Sequence, residues 1–289
     1  MNKEIGYKFF DKPITEIIKN RISVRTYENQ QLNVETVSKL MKYCNEVEGP
    51  FDVKVRFKLI DDLHAIEKLG DKVGTYGVIK GAKGYIAAAV ENKDYNLEQL
   101  GYTLEKIILY ATSLGLGTCW LGGTFKRSGF EKIIQLKENE ILPIVTPIGF
   151  PSSKKRTIDS FMRFAAGSNN RKEWSEVFFH ENFNTPLKKE AAEQYYVALE
   201  MVRVAPSASN KQPWRVLKTD DGCHFYISHT LGYGKALGFD IQRIDIGIAM
   251  CHFEMTMKEL GETGSWALVP QNKKLSSEMN YVVSWLRGR

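Results

Sequence analysis

The chain has 289 residues, of which 43% are hydrophobic and 26% charged, with a net charge of +6. That length holds one large domain or two of ordinary size with a sizeable core, and the composition is that of a soluble globular protein. The positive excess suits an anionic ligand, but with no basic helix or interleaved aromatic stripe it argues against a nucleic-acid partner. No apolar run approaches ~18 residues, so no membrane span is expected. Met1-Asn2-Lys3-Glu4-Ile5-Gly6 leads into polar sequence without the apolar stretch of a secretory leader. Cys44, Cys119, Cys223 and Cys251 are scattered; they read as free thiols in a reducing cytoplasm. The five histidines are equally dispersed, and no metal site is expected.

In chain order, a short helix is predicted over 15–20. A helix follows over 32–48, where Val34, Val37, Leu40, Met41 and Cys44 recur at three- and four-residue steps. Residues 53–60 alternate apolar and charged side chains and predict a strand, and the apolar run 84–90 predicts a buried one. Residues 97–116 form a long amphipathic helix closed by Gly115 and Gly117. A strand is predicted over 140–149. The second half repeats this order: a helix over 186–204, strands over 214–219 and 223–228, a long helix over 241–261, then strands over 265–269 and 281–286.

The repetition has a measurable offset. Trp120 and Trp266 follow the two long helices 146 residues apart (266 − 120), and the last strands of the halves are 137 apart (281 − 144). Similar order with different loop lengths points to an old duplication rather than a solenoid array; the alternative is two unrelated α/β segments sharing an element order. The expected fold class is α+β, an internally duplicated pseudo-dimer with mostly antiparallel sheets flanked by helices. The expected halves are 1–165 and 166–289, interlocked as one unit.

Four segments carry chemistry. In Arg21-Ile22-Ser23-Val24-Arg25, two permanent cations and a hydroxyl come within reach of one phosphate, and the planar guanidinium binds two phosphate oxygens at once. In Gly115-Leu116-Gly117-Thr118-Cys119-Trp120-Leu121-Gly122-Gly123, glycines allow close backbone approach and free dihedrals, so that amide N–H groups can face a flat ring. The third is Pro147-Ile148-Gly149-Phe150-Pro151-Ser152-Ser153-Lys154-Lys155-Arg156, a strand end followed by cations. The fourth, Ala205-Pro206-Ser207-Ala208-Ser209-Asn210-Lys211-Gln212-Pro213-Trp214, is a polar loop able to bond a planar heterocycle before it enters an apolar strand.

These four segments together resemble the nitroreductase family, FMN enzymes that reduce small molecules with NAD(P)H, and the resemblance covers nearly the whole chain. It implies that Arg21, Ile22, Ser23, Arg25 and Arg156 hold the FMN phosphate end. Leu121, Gly122 and Gly123 would run along the flavin ring, and Pro206, Ser207, Ala208 and Asn210 would contact it from the opposite half. Phe150 replaces the family's usual Tyr, and Lys154 and Lys155 are weaker candidates for the cation role than Arg156. In the family one subunit supplies the first elements and its partner the loop. Here they lie in different halves of one chain, as in a subfamily whose fused monomer mimics the family dimer.

The complementary second site is expected to be lost. Tyr43-Cys44-Asn45-Glu46-Val47-Glu48-Gly49-Pro50 stands where its loop should be, Glu173 and Glu176 where phosphate charge would fall, and Gly264-Ser265-Trp266-Ala267-Leu268-Val269 lacks the Gly-Gly pair. The implied activity is hydride transfer from NAD(P)H through FMN to a small electron-poor acceptor, a nitroaromatic or quinone, by a monomeric chain. No catalytic side chain is expected: His224 and His252 read as packing residues, and Tyr76, Tyr233 and Phe239 could flank a substrate slot. Other FMN chemistry (ene reduction, dehalogenation, flavin breakdown) and a non-catalytic flavin sensor or carrier are the alternatives.

Overall fold

The expected periodicities become real elements in nearly the expected order. The structure is a computed structural model that describes residues 9–61, 77–153, 170–270 and 279–288. The first half contains α1 (Ile14–Asn20), α2 (Val34–Glu46), β1 (Val55–Ile60), β2 (Gly84–Glu91), α3 (Asn96–Ser113), β3 (Gly117–Thr118), α4 (Arg127–Ile134) and β4 (Glu140–Gly149). The second contains α5 (Trp174–Val177), β5 (Phe178–His180), β6 (Asn182–Pro186), α6 (Tyr196–Arg203), β7 (Trp214–Lys218), β8 (Gly222–Ser228), α7 (Ile241–Glu259), β9 (Gly264–Ala267) and β10 (Met279–Arg287). The expected boundary at 165/166 lies outside the described residues.

Two sheets result. The first has strand order β1-β2-β4-β3 and the second β6-β5-β7-β8-β10-β9. Every pairing is antiparallel except β5 with β7, which makes the fold the mixed, mostly antiparallel α+β class. β2 is buried on both faces. Ile86, Ala88 and Val90 join the core shared with α3 and α7, while Tyr85, Ala87 and Ala89 join a second cluster with Phe125, Phe130 and Ile134 around α4. That two-sided burial explains why the strand reads as an unbroken apolar run.

The centre of the molecule is the crossing of α3 and α7. It is close enough that a Cβ on Gly101 would lie 2.2 Å from the Ile244 carbonyl oxygen, and one on Gly247 would lie 2.1 Å from that of Glu98. Gly115 and Gly261, again 146 apart (261 − 115), both leave these helices in the left-handed conformation, with φ of 77°. The shared offset at the helix crossing, helix exits and tryptophans is the signature of the duplication.

Three expectations need correction. Gly117 is not part of the helix end; it lies in β3, where a Cβ would strike Val24 Cγ2 at 2.7 Å. The helix expected over 186–204 is confined to α6. Residues up to Pro186 belong to β6, and the intervening turn Glu190–Tyr195 is broken by Glu193 at φ 52°. The short strands β5 and β6 were not foreseen, because β5 pairs in parallel with β7, a partner more than thirty residues away that no local pattern announces.

Candidate functional site

From the end of α1 the chain runs extended. Ser23 bridges Thr118 in parallel, Val24 N–H donates to Thr118 O at 2.8 Å, and Tyr27 N–H donates to Lys80 O at 2.9 Å. An extended chain sends alternate side chains to opposite faces, so Arg21, Ser23 and Arg25 share one face. Val24 turns inward against Gly117, and Ile22 is exposed. Phe150 and Pro151 dock on the same segment, with Glu28 N–H donating to Phe150 O at 2.9 Å. Arg156, Lys154, Lys155 and Tyr76 lie outside the described residues. The Arg21 side chain is 8% exposed, and its Nε makes no hydrogen bond, lying 3.7 Å from Glu105 Oε1.

Leu121 is tied to the sheet by reciprocal 3.1 Å bonds with Val145. The turn that follows meets the other half of the molecule: a Cβ on Gly122 would lie 2.6 Å from Ile241 Cδ1, and one on Gly123 would lie 2.9 Å from Leu237 Cδ2. Neither glycine has positive φ, so closeness rather than dihedral freedom is what this pair provides. Arg127, missed in the sequence, pins the junction by donating to Gly122 O at 3.1 Å and Leu237 O at 3.2 Å. It also stacks on Phe239, 5.1 Å from the ring centroid. No acceptor among the described residues takes the amide N–H of Gly122 or Gly123.

The loop from Pro206 to Gln212 is unusually shaped. Ser209, Asn210 and Gln212 hold φ of 46°, 53° and 49°, a region that costs free energy for residues with a side chain and is kept only where neighbours impose it. The neighbours are identifiable. Ala208 N–H donates to Asp245 Oδ1 at 2.9 Å, Gln212 N–H to Ser207 Oγ at 2.9 Å, and Tyr233 OH to Ser209 Oγ at 2.8 Å. Asn210 Nδ2 donates to Asn170 O at 2.6 Å, and its Oδ1 accepts from Arg171 Nη1. Both ends of the Asn210 amide are thus engaged by the protein.

Arg171, the counterpart of Arg25 at the same offset (171 − 25 = 146), turns toward the second-half loop. Its guanidinium is held below the usual arginine value, at about 10, first by burial and then by the nearby charges of Arg21 and Arg203. The charge of Arg21 in the first half thus reaches Arg171 in the second, and Asn210 is bonded to Arg171. Glu173 and Glu176 form a capping box on α5. Burial also holds Lys172 down, to about 8, with Arg215 and Lys211 adding to the effect. Like cations brought together in a half-buried place are a ready site for an anion.

Asp245 is a second residue that the sequence did not flag. It is 2% exposed, its Oδ2 has no hydrogen-bond partner, and burial pushes its carboxyl well above the usual carboxylate range. Its duplicate is Gln99 (245 − 99 = 146), whose Oε1 accepts from Phe51 N–H at 3.0 Å. His252 is fully buried in the interior and bonds Glu105 and Met201 O. His224 is bonded to Ser284 and Thr219 inside the second sheet.

A cavity of about 560 Å³ lies at the mirror position, lined by Phe51, Asp52, Asp94, Tyr95, Trp266 and Leu268 among others. The offset of 146 carries Trp120 to Trp266, Gly122 to Leu268 and Tyr95 to Ile241. The cavity is therefore the counterpart of the junction at Gly122, with Phe51 stacked on Tyr95 at 4.8 Å.

The family described as "Putative TM nitroreductase" matches residues 13–257. The crystal structure of a "putative nitroreductase" from Thermotoga maritima matches 96% of this chain and 94% of its own, with a TM-score of 0.60 at 20% identity, a likeness of fold. Two relatives, each named "Putative NADH dehydrogenase/NAD(P)H nitroreductase", match about half of this chain. The one from Archaeoglobus fulgidus is 21% identical over 169 residues, 55% of this chain and 97% of its own length. The one from Methanothermobacter thermautotrophicus is 28% identical over 162 residues, 51% of this chain and 82% of its own. No helix among the described residues is long and apolar enough to cross a membrane. With its family matched across most of its length and its fold shared end to end, the chain belongs to the "Putative TM nitroreductase" family.

Proposed function

We propose that this chain is an FMN-dependent oxidoreductase with one composite site per chain, working as a monomer built from the interlocked halves 1–165 and 166–289. The observation that carries the proposal is that Arg171, bonded to Asn210 in the second half, feels the charge of Arg21 in the first. The residues fit a phosphorylated flavin on two counts. Arg21 Nε is buried without a hydrogen-bond partner and its charge reaches Arg171, so a phosphate would suit both. The amides of Gly122 and Gly123 have no acceptor among the described residues, as expected of donors kept for a ring.

In this reading Arg21, Ser23, Arg25 and Arg171 hold the phosphate, with Arg156 as a further cation. Leu121, Gly122 and Gly123 present backbone to one edge of the ring. Pro206, Ser207, Ala208 and Asn210 approach from the second half, with Ile22 beside the clamp. Bound FMN would supply the two-electron chemistry, taking hydride from NAD(P)H and passing it to a small electron-poor acceptor such as a nitroaromatic or quinone. The protein positions these groups, and its four buried thiols suit a reducing cytoplasm. The test is the visible spectrum of the purified protein with its flavin-to-chain ratio, followed by anaerobic oxidation of NADH and NADPH with nitro and quinone acceptors. Flavin binding without nucleotide oxidation would make the chain a carrier; absence of flavin binding sinks the proposal.

A further inference from the structure

Glu105, in the middle of α3, is fully buried. Its Oε2 accepts from Trp120 Nε1 at 2.9 Å, its Oε1 is hydrogen-bonded to His252 Nε2 at 2.9 Å, and Arg21 Nε lies 3.7 Å from Oε1. His252, on α7 and also fully buried, donates from Nδ1 to Met201 O at 2.9 Å. Each partner leads to a different part of the site. Arg21 opens the phosphate segment, Trp120 immediately precedes Leu121, Gly122 and Gly123, and Met201 lies on α6, which runs into the loop of Pro206 and Asn210.

We infer that Glu105 is a positioning residue that sets the three parts of the composite site against one another. The inference rests on the flavin reading above. Met201 O only accepts, so His252 donates to it from Nδ1, and Nε2 shares one proton with Glu105 Oε1. The Glu105 carboxyl thereby gathers Trp120, His252 and the Arg21 guanidinium at one point.

The duplication supplies an internal control. In the mirror half Trp266 Nε1 also donates to a half-buried carboxylate, Glu254, at 2.6 Å. Among the described residues that carboxylate's other partners are Tyr102 OH and Lys258, neither arginine nor histidine. The counterparts of Glu105 and His252 are Cys251 (105 + 146) and Lys106 (252 − 146), and Lys106 turns away to Glu48 O at 3.0 Å. A tryptophan anchored to a helix carboxylate is therefore common architecture, whereas the arginine and histidine are added only on the side of the composite site. Buried ion networks seldom stabilise a fold over an apolar replacement, so a one-sided network calls for a functional reason.

The test compares Glu105→Gln with Glu254→Gln, measuring FMN and riboflavin affinity side by side. Gln keeps the size and the Trp120 bond but removes the charge that holds Arg21. The expected result is roughly a tenfold loss of FMN affinity, the scale of a charge-assisted bond, with riboflavin changed much less. Glu254→Gln should leave both affinities alone. Equal weakening of the two ligands, or none, overturns the inference. Arg21→Ala separates it from the underlying reading: if that variant does not discriminate between FMN and riboflavin either, the phosphate clamp itself is wrong. If Glu105→Gln does not fold, Glu105→Asp, which keeps the charge but shortens its reach, decides: a loss of affinity confined to FMN supports the inference, and an equal loss for both ligands, or none, overturns it.

Discussion

Gly101 and Gly247 occupy equivalent places on opposite sides of one helix crossing. Each faces the backbone carbonyl of the partner helix, Gly101 that of Ile244 and Gly247 that of Glu98, and these contacted residues are themselves 146 apart (244 − 98). The arrangement is the intrachain equivalent of a self-complementary dimer contact, in which residue i meets j and j meets i.

Because backbone, rather than a flexible side chain, fills the space beside each glycine, Gly101→Ala and Gly247→Ala should both force the helices apart. Overpacking of this kind costs about 1–3 kcal/mol or more. Denaturant unfolding of the two variants should show losses of similar size. A loss below about 0.5 kcal/mol in either, the range of an ordinary surface change, would mean that the crossing yields easily.

Arg171 is expected to matter for phosphate more than for the flavin ring. Arg171→Met should weaken FMN by about one to two decades, from roughly 1.5–3 kcal/mol for a bond to a charged group. Riboflavin affinity should fall less, by the part owed to freeing Asn210. Parallel titrations of the two flavins read the difference, and equal losses would confine Arg171 to shaping the loop.

Asp245 predicts a pH dependence with a definite sign. Burial raises its carboxyl in the folded protein, Asp240 adds to the rise, and the Ala208 N–H opposes it. A carboxyl raised on folding contributes most below its ordinary value of about 3.9, and that contribution is lost as pH climbs toward the raised value. Asp245→Asn keeps an acceptor for Ala208, the task Gln99 performs in the other half, but cannot ionise. Measured by urea unfolding from pH 5 to 9, the variant should therefore gain on the unaltered protein as pH rises. A difference that stays constant across this range would show that Asp245 does not titrate there.

One FMN per chain is the expected stoichiometry. The mirror cavity presents Asp52 and Asp94, and the only cation among its described lining residues, Lys93, lies 3.2 Å from Glu91. Leu268 occupies the place of Gly122, so the ring lacks its seat, and the carboxylates of the cavity would repel a phosphate. Titration of apoprotein by flavin fluorescence, with a solution mass measurement, should saturate at a ratio of one on a monomer. A ratio of two, or binding only by a dimer of chains, would contradict the composite site.

Local periodicity by itself determined the long elements. The apolar run of β2, the helical spacing of α3 and α7 and the strand β4 are written in neighbouring residues, because one face or both must be buried whatever the topology. The offset between Trp120 and Trp266 likewise made the duplication legible without coordinates. The four motifs, too, could be read as a composite site, since residue type limits which groups can hold a phosphate or approach a ring. What only the tertiary structure decided depends on contacts between distant residues: the parallel pairing of β5 with β7, the helix crossing at Gly101 and Gly247, and the side of the molecule to which Arg171 turns. Glu105, His252 and Asp245 look like ordinary helix residues in sequence, and nothing in their neighbours marks them. They acquire meaning because burial removes water, so each polar atom must find its partner across the fold, and the chain between those partners carries no record of the meeting.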